Sequence, residues 1–354
     1  MNLTARRWTQ RPVDSTWGDW GADDQLGRLN LITPAKVLEG LREAHEGRTF
    51  CLSLPLDCPG NRVLNPRRAP PQVQPTLRGE MPNMTYPLSR DNASLTDVIC
   101  DDTVTLALQY STQWDSLAHM GQWFDADGDG KPEMCFYNGF RAGDDVIGPL
   151  DYRNEEPGQP LPATDRAPGA YRLGIENMAA TCVQGRAVMV DLERQFGAVP
   201  LRVGYHELME AMDAQNVVVE PGDMLCLRTG FDEALLDVYR TQNGKALESG
   251  FAGLDGRDEA LRRWIVDSNV AALISDNVAV EFLPAAPCDD AHYPSHPLHD
   301  LCLFRLGVHL GELWHLSELA AWLHAHGRNR FLLTAPPLRL PRAVGSPVTP
   351  VATV

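Results

Sequence analysis

The sequence predicts a mixed α/β or α+β sandwich built as one domain, and three observations carry that prediction. With 354 residues, 44% of them hydrophobic and 22% charged, the chain has the makeup of a well-cored globular protein. The stretch 186–219 gives a strand–helix–strand pattern, with MLCLRTG as the partner strand. Elsewhere strand-like runs outnumber helix-like ones and alternate with them irregularly, which favours layered packing over a helix bundle.

Residues 21–47 read as a surface loop leading into a helix. In ITPAKVLEGLREAHEGR, Thr33 stands at the cap, Pro34 takes the first helical position and apolar residues follow at helical spacing. TFCLSLPL reads as a short strand. Residues 59–87 are so rich in Pro, Arg and Asn that no regular structure is expected, and a loop of that length is usually functional or an interface arm. VTLALQY, 104–110, alternates as a strand does, so the polar segment that follows should begin at a strand end. After an Asp-rich turn at 125–130 come VMVDL, the helix YHELMEAMDAQ with Leu208 and Met212 on one face, and the strand MLCLRTG behind the turn PGD. AALISDN is another buried strand. A loop with proline and histidine then leads to LGELWHLSELAAWLHAHG, helical at its C-terminal end and stopped by Gly327, and FLLTAPPLRL is the closing strand. No internal repeat is present.

Composition excludes several function classes. A formal charge of −16 argues against a nucleic-acid surface, and no basic stripe offsets it. No run of about 18 apolar residues is present to span a bilayer. The first 21 residues carry Arg6 and Arg7 but no apolar run behind them, so a chain without a secretory signal is expected. Eight scattered cysteines with no CxxC pair read as buried thiols of a reducing cytoplasm.

Among chemical motifs, DADGDGKPEMCF begins like a calcium loop, but its twelfth position is Phe136 instead of a bidentate glutamate, and an acidic surface turn is the reading. No GxSxG elbow and no phosphate-binding glycine pattern occurs. The segment LQYSTQWDSLAH, 108–119, stands apart: Asp115 and His119 lie four apart, as do Gln109 and Gln113. Each has an ordinary structural reading. Asp115 can cap a turn, His119 can pack in the core, and Glu312 can sit in the first turn of a helix. Gln109 and Gln113 can bond backbone, and Trp114 can fill the core.

QYSTQWDSLAH resembles the signature H-x-G-T-H-x-D-x-P-x-H of the metal-dependent cyclase family, which includes kynurenine formamidase and isatin hydrolase. Thr112, Asp115 and His119 match in register, whereas Gln109, Ser111, Gln113 and Leu117 depart. WGADDQLGRLNLITPAKVLEGL, YNGF, GIENMA, PGDMLCLRTGF, SDNVAVE, LGELWHLSELA and APPLRLPRAVGSPV are similar to the larger members, so the resemblance covers nearly the whole chain.

The resemblance implies a swivelling β/β/α fold in a single domain, 1–354, with an N-terminal extension over 1–48. It also implies a homodimer or homotetramer, with the proline-rich arm, 59–87, crossing between subunits. Asp115 falls on the family's metal-binding aspartate and His119 on its general acid/base. His299, with His296 a near competitor, and Glu312 fall on the residues that complete the metal shell. The family's first two histidine ligands fall on Gln109 and Gln113. Gln113 is therefore expected on the metal through its amide oxygen, and Gln109 and Trp114 on the substrate. The implied cofactor is a divalent metal, Mn or Zn, and exchanging imidazoles for amides shifts preference toward ions that favour oxygen. The implied reaction is hydrolysis of an amide, cyclic amide or lactone in a small, aromatic molecule of the cytoplasm. Two alternatives stay open: a metal-independent acid/base dehydratase or cyclase using Asp115 and His119, and a non-catalytic small-molecule-binding protein.

Overall fold

In the computed structural model, which describes residues 7–153, 160–247 and 250–354, the first helix starts where its cap predicts. The Thr33 side chain accepts the Lys36 amide and Pro34 opens α1 (Pro34–Leu41). β1 (Thr49–Cys51) follows. Residues 1–6 of the N-terminal extension and 154–159 of the loop after the Asp-rich turn lie outside the described residues.

The arm corrects the sequence reading in two ways. It is not wholly irregular, because β2 (Gln72–Pro75) pairs antiparallel with β3 (Asp102–Thr105) as a ribbon, and between them two-residue ladders at 77–82 and 86–99 form two further small sheets. The strand expected over 104–110 survives only as the end of β3, which is exposed along its length; the chain then turns, Tyr110 donating its amide to Ala107. Alternation measures a capacity for one-sided burial, but on this ribbon none of the described residues covers the apolar side, and Val104 is 52% exposed. The buried strand lies inside the polar segment instead, as β4 (Gln113–Asp115).

The β–α–β unit forms as read: β5 (Gln184–Asp191), α2 (Tyr205–Ala214) with Leu208 and Met212 buried, and β6 (Met224–Arg228) parallel to β5. α3 (Glu259–Ser268) and β7 (Ala272–Ser275) come next. The segment read as a loop contains a helical stretch, beginning at Pro297–His299 and continuing in wider π turns through Asp300–Leu306. β8 (His309–Glu312), α4 (Ser317–Ala325) and β9 (Arg330–Thr334) follow. β9 is not the closing strand, since β10 (Gly345–Pro347) and β11 (Val351–Thr353) come after the prolines at 336, 337 and 341.

One nine-stranded sheet gathers these in the order β1-β11-β9-β5-β6-β7-β8-β4-β10. β5 to β8 are mutually parallel and the flanking pairs antiparallel. Alternation along the parallel strands feeds two cores. Val188, Val190, Leu225, Leu227 and Leu273 meet α2 and α3, while Ala187, Met189, Cys226 and Ile274 meet α4. All eight cysteines are free; Cys58, Cys135, Cys226 and Cys302 are buried and Cys51, Cys100 and Cys182 exposed. Among the described residues no helix is long and apolar enough to cross a membrane.

The helical stretch that carries His299 ends at Gly307, whose φ is +62° and whose carbonyl accepts the Arg28 amide. A Cβ there would stand 2.6 Å from the Gly27 Cα and 2.8 Å from the Tyr137 ring. Gly307→Ala therefore meets both a left-handed backbone and a backbone clash, and is expected to lower stability by about 2–4 kcal/mol. A urea denaturation series against the parent chain checks this.

Candidate metal centre

β4 brings the polar segment to the sheet with its side chains split by strand alternation. Gln113 and Asp115 face one way and Trp114 the other. Trp114 does not reach the cavity: it is fully buried, its ring 5.0 Å from that of Trp314 in an edge-on contact, with Nε1 donating to the Ala335 carbonyl. The expectation of a substrate contact at Trp114 is thereby corrected, because a strand residue between two inward-facing side chains must point to the opposite core.

Antiparallel register with β8 sets Glu312 directly opposite Gln113, and the Gln113 amide nitrogen donates to Glu312 Oε2 at 3.0 Å. Glu312 thus ends a strand instead of starting a helix. Asp115, His299 and Glu312 each offer a ligand atom, and these atoms lie within 4.8 Å of one another. His299, not His296, belongs to this group. His296 stands behind it, the ring centroids 5.3 Å apart, and both line the cavity. A tight turn, with the His119 amide donating to Ser116, carries His119 back over the strand until its Nε2 is 3.7 Å from Asp115 Oδ2. Gln109 stays outside the cluster, lines the cavity, and lays its amide against Gly345, the register partner of Asp115.

Glu281 plays a part that the sequence reading missed. Its carboxylate accepts the amides of Leu298 and His299 at 3.0 and 3.1 Å and accepts a hydrogen bond from His299 Nδ1 at 2.7 Å. It thus caps the helical stretch and sets the tautomer of His299, turning Nε2 toward Glu312 Oε1 at 3.4 Å and Asp115 Oδ2 at 4.0 Å. The backbone leading to Glu281 is strained: Ala279 and Val280 hold φ of +76° and +60°, unfavourable for residues with a Cβ, and Leu313 beside Glu312 holds +57°. The signal for Glu281 in the sequence was an acidic residue soon after a buried strand, in SDNVAVE.

The cluster is rich in acceptors and short of donors. Both carboxylate oxygens of Asp115 and the Gln113 carbonyl oxygen are buried without a hydrogen-bond donor. Burial first, and then the charge of Glu312, push the Asp115 carboxyl well above the usual carboxylate range. Burial alone would also raise Glu312, but its bond to His299 holds it below the ordinary value. For His299, burial works downward and is overcome by Glu281 and Glu312, which raise it to about 10. Burial lowers His119 to about 4, which keeps it neutral near pH 7. Two carboxylates and an imidazole nitrogen held by a carboxylate behind it, with a buried, unpartnered amide oxygen on the Gln113 side chain that bonds Glu312, make a donor set that fits a divalent cation.

Those shifts give a sign for stability. In protein stripped of divalent ions, a histidine with a folded pKa near 10 contributes stability that is complete below about 6.5 and is lost as pH climbs toward 10. Asp115, also raised, acts in the same direction. Chelator-treated protein is therefore expected to lose stability between pH 6.5 and 8, and His299→Gln to flatten that slope. Urea midpoints at several pH values test it.

Over the cluster lies a cavity of about 350 Å³, lined by Leu64, Met120, Val278, Leu283 and Leu313 among its apolar residues. Residues 59–68 of the arm form part of its wall, tied down by Tyr110, whose hydroxyl donates to the Asn61 carbonyl, and by Arg68, which donates to the Gln109 carbonyl. The Asp-rich turn holds a second acidic group, Asp125, Asp127 and Glu133, but Asp125 already accepts the amides of Gly128, Asp129 and Gly130.

Residues 52–282 match the Cyclase family model. The chain is similar to a solved structure of a novel cyclase at 32% identity and a TM-score of 0.73, over 96% of this chain and 97% of that one. Isatin hydrolase A from Labrenzia aggregata, solved with benzyl benzoate, is 14% identical with a TM-score of 0.54, over 90% of this chain and 98% of that one. Isatin hydrolase A from Ralstonia solanacearum is 14% identical with a TM-score of 0.52, over 90% and 97%. At that identity the likeness speaks to the fold alone. No curated protein matches in sequence.

Proposed function

The chain belongs to the Cyclase family, and from that premise we propose that it hydrolyses an amide, cyclic amide or lactone bond in a small, aromatic molecule with the help of a divalent metal ion. One observation carries the reading: a buried, donor-poor cluster of Asp115, His299 and Glu312, with Gln113 bonded to Glu312, beneath a cavity that His299 and Glu312 line and with a neutral imidazole beside it. These four residues would hold the ion, Mn²⁺ in preference to Zn²⁺ because three of the four donors are oxygen. When bound, the ion supplies Lewis acidity toward the scissile carbonyl and toward water.

The remaining work belongs to side chains. His119 accepts a proton from water as its oxygen attacks the carbonyl carbon, and returns that proton to the leaving nitrogen or oxygen as the C–N or C–O bond breaks. Glu281 keeps His299 in one tautomer throughout. Gln109 offers its amide to a substrate oxygen, and the apolar wall around Leu64, Met120 and Leu283 receives the ring.

We also propose a homodimer or homotetramer, supported by the exposed Val73 and Val104 on the ribbon and Leu77 and Val98 on the two small sheets. The test of the activity is a panel of aryl formamides, cyclic imides and aryl lactones, assayed with and without added Mn²⁺. Metal-stimulated turnover of at least one class is expected, and silence across all three contradicts the reading.

A further inference from the structure

Arg67 and Arg68 both line the cavity, and neither forms an ion pair among the described residues. Arg141, Arg153, Arg186 and Arg228, by contrast, each pair with acidic side chains. Other arginines, Arg62 and Arg202 among them, also lack an ion pair among the described residues, so what sets Arg67 and Arg68 apart is their adjacent place on the cavity wall. Arg68 spends one nitrogen on the Gln109 carbonyl and is fixed by it; Arg67 makes no side-chain hydrogen bond among the described residues. Most of their donors therefore face the cavity unspent, and a guanidinium fork matches a carboxylate with two parallel bonds.

The arm holds this pair on the same cavity wall that carries Tyr110, His119 and Glu312. The cavity thus has two chemistries, an acidic cluster suited to a cation and a basic rim suited to an anion. We propose that Arg67 and Arg68 form a subsite for a carboxylate on the substrate, so that the enzyme acts on an aromatic molecule bearing a carboxylate as well as the scissile bond. This rests on the hydrolase reading for the reaction, though not for the binding.

The test compares binding of 2-aminobenzoate and its neutral isostere 2-aminobenzamide by calorimetry, in the Mn²⁺-supplemented full chain. The acid is expected to bind about 10- to 100-fold tighter. Arg67→Gln and Arg68→Gln should each shrink that preference and the double variant erase it, leaving the amide's affinity unchanged. Arg67 is exposed and its replacement leaves the fold alone, while Arg68→Lys keeps the charge without the fork and should fall between. Equal binding of the two compounds, no measurable binding of the acid, or a preference that survives the double variant overturns the subsite. The two readings fail separately: a charge preference without hydrolysis of 2-formamidobenzoate, a lactone or an imide sinks the hydrolase alone. Turnover of formanilide equal to that of 2-formamidobenzoate sinks the subsite alone.

Discussion

Asp115→Asn is expected to lower kcat/KM by about 10³-fold or more, while making the metal-free protein more stable. The loss follows from removing a ligand of the proposed ion, since metal assistance supplies several kcal/mol of transition-state stabilisation and each 1.36 kcal/mol is tenfold in rate. The gain follows from the same side chain. Asp115 is fully buried, neither of its oxygens has a donor, and Glu312 lies beside it. Folding the metal-free chain must therefore desolvate a carboxylate with little compensation, and a neutral isostere relieves that cost by about 1–3 kcal/mol. Added Mn²⁺ should raise the melting temperature of the parent chain and leave that of the variant unchanged. Opposite signs in the two conditions separate a ligand from a structural aspartate, whose loss lowers stability in both.

His119→Ala is expected to cut kcat by about 10²- to 10⁴-fold with little change in KM, the range for losing a general acid/base. Its side chain is 19% exposed at the cavity and makes no hydrogen bond among the described residues, so melting temperature and metal content should stay at parent values. The opening that lets substrate in also admits a small base, and added imidazole should restore part of the rate to the alanine variant. Unchanged turnover removes His119 from the chemistry. A lowered melting temperature instead returns it to the ordinary reading of a packed core histidine.

Local signals in this sequence were reliable and long-range ones were not. Thr33 and Pro34 mark a helix start because a cap is made within four residues, and the β–α–β unit is readable because both periods are clean over 184–228. The ribbon strand at 102–105 shows the limit. Its alternation is real, but whether an apolar side is covered depends on elements far away in sequence. The site divides in the same way. Asp115 and His119 stand in the family signature and His299 and Glu312 are suggested by the wider resemblance, whereas Glu281 acts through the helical stretch it caps 17 residues on. Arg68 enters the cavity wall only because the arm folds back on Gln109 and Tyr110. Trp114 lies between two inward-facing residues of a strand, and that alternation is what sends it to the other side.

The account turns on one claim, that Asp115, His299, Glu312 and Gln113 hold a divalent cation on which hydrolysis depends. Titration of Mn²⁺ into chelator-treated protein by calorimetry, with turnover followed in the same samples, tests it most directly. The expected result is saturable binding near one ion per chain, released protons as the ion displaces the one on His299, and activity that rises in step with occupancy. Protein that takes up no ion yet turns over unchanged in EDTA would contradict the claim, and would leave Asp115 and His119 as a metal-independent acid/base pair.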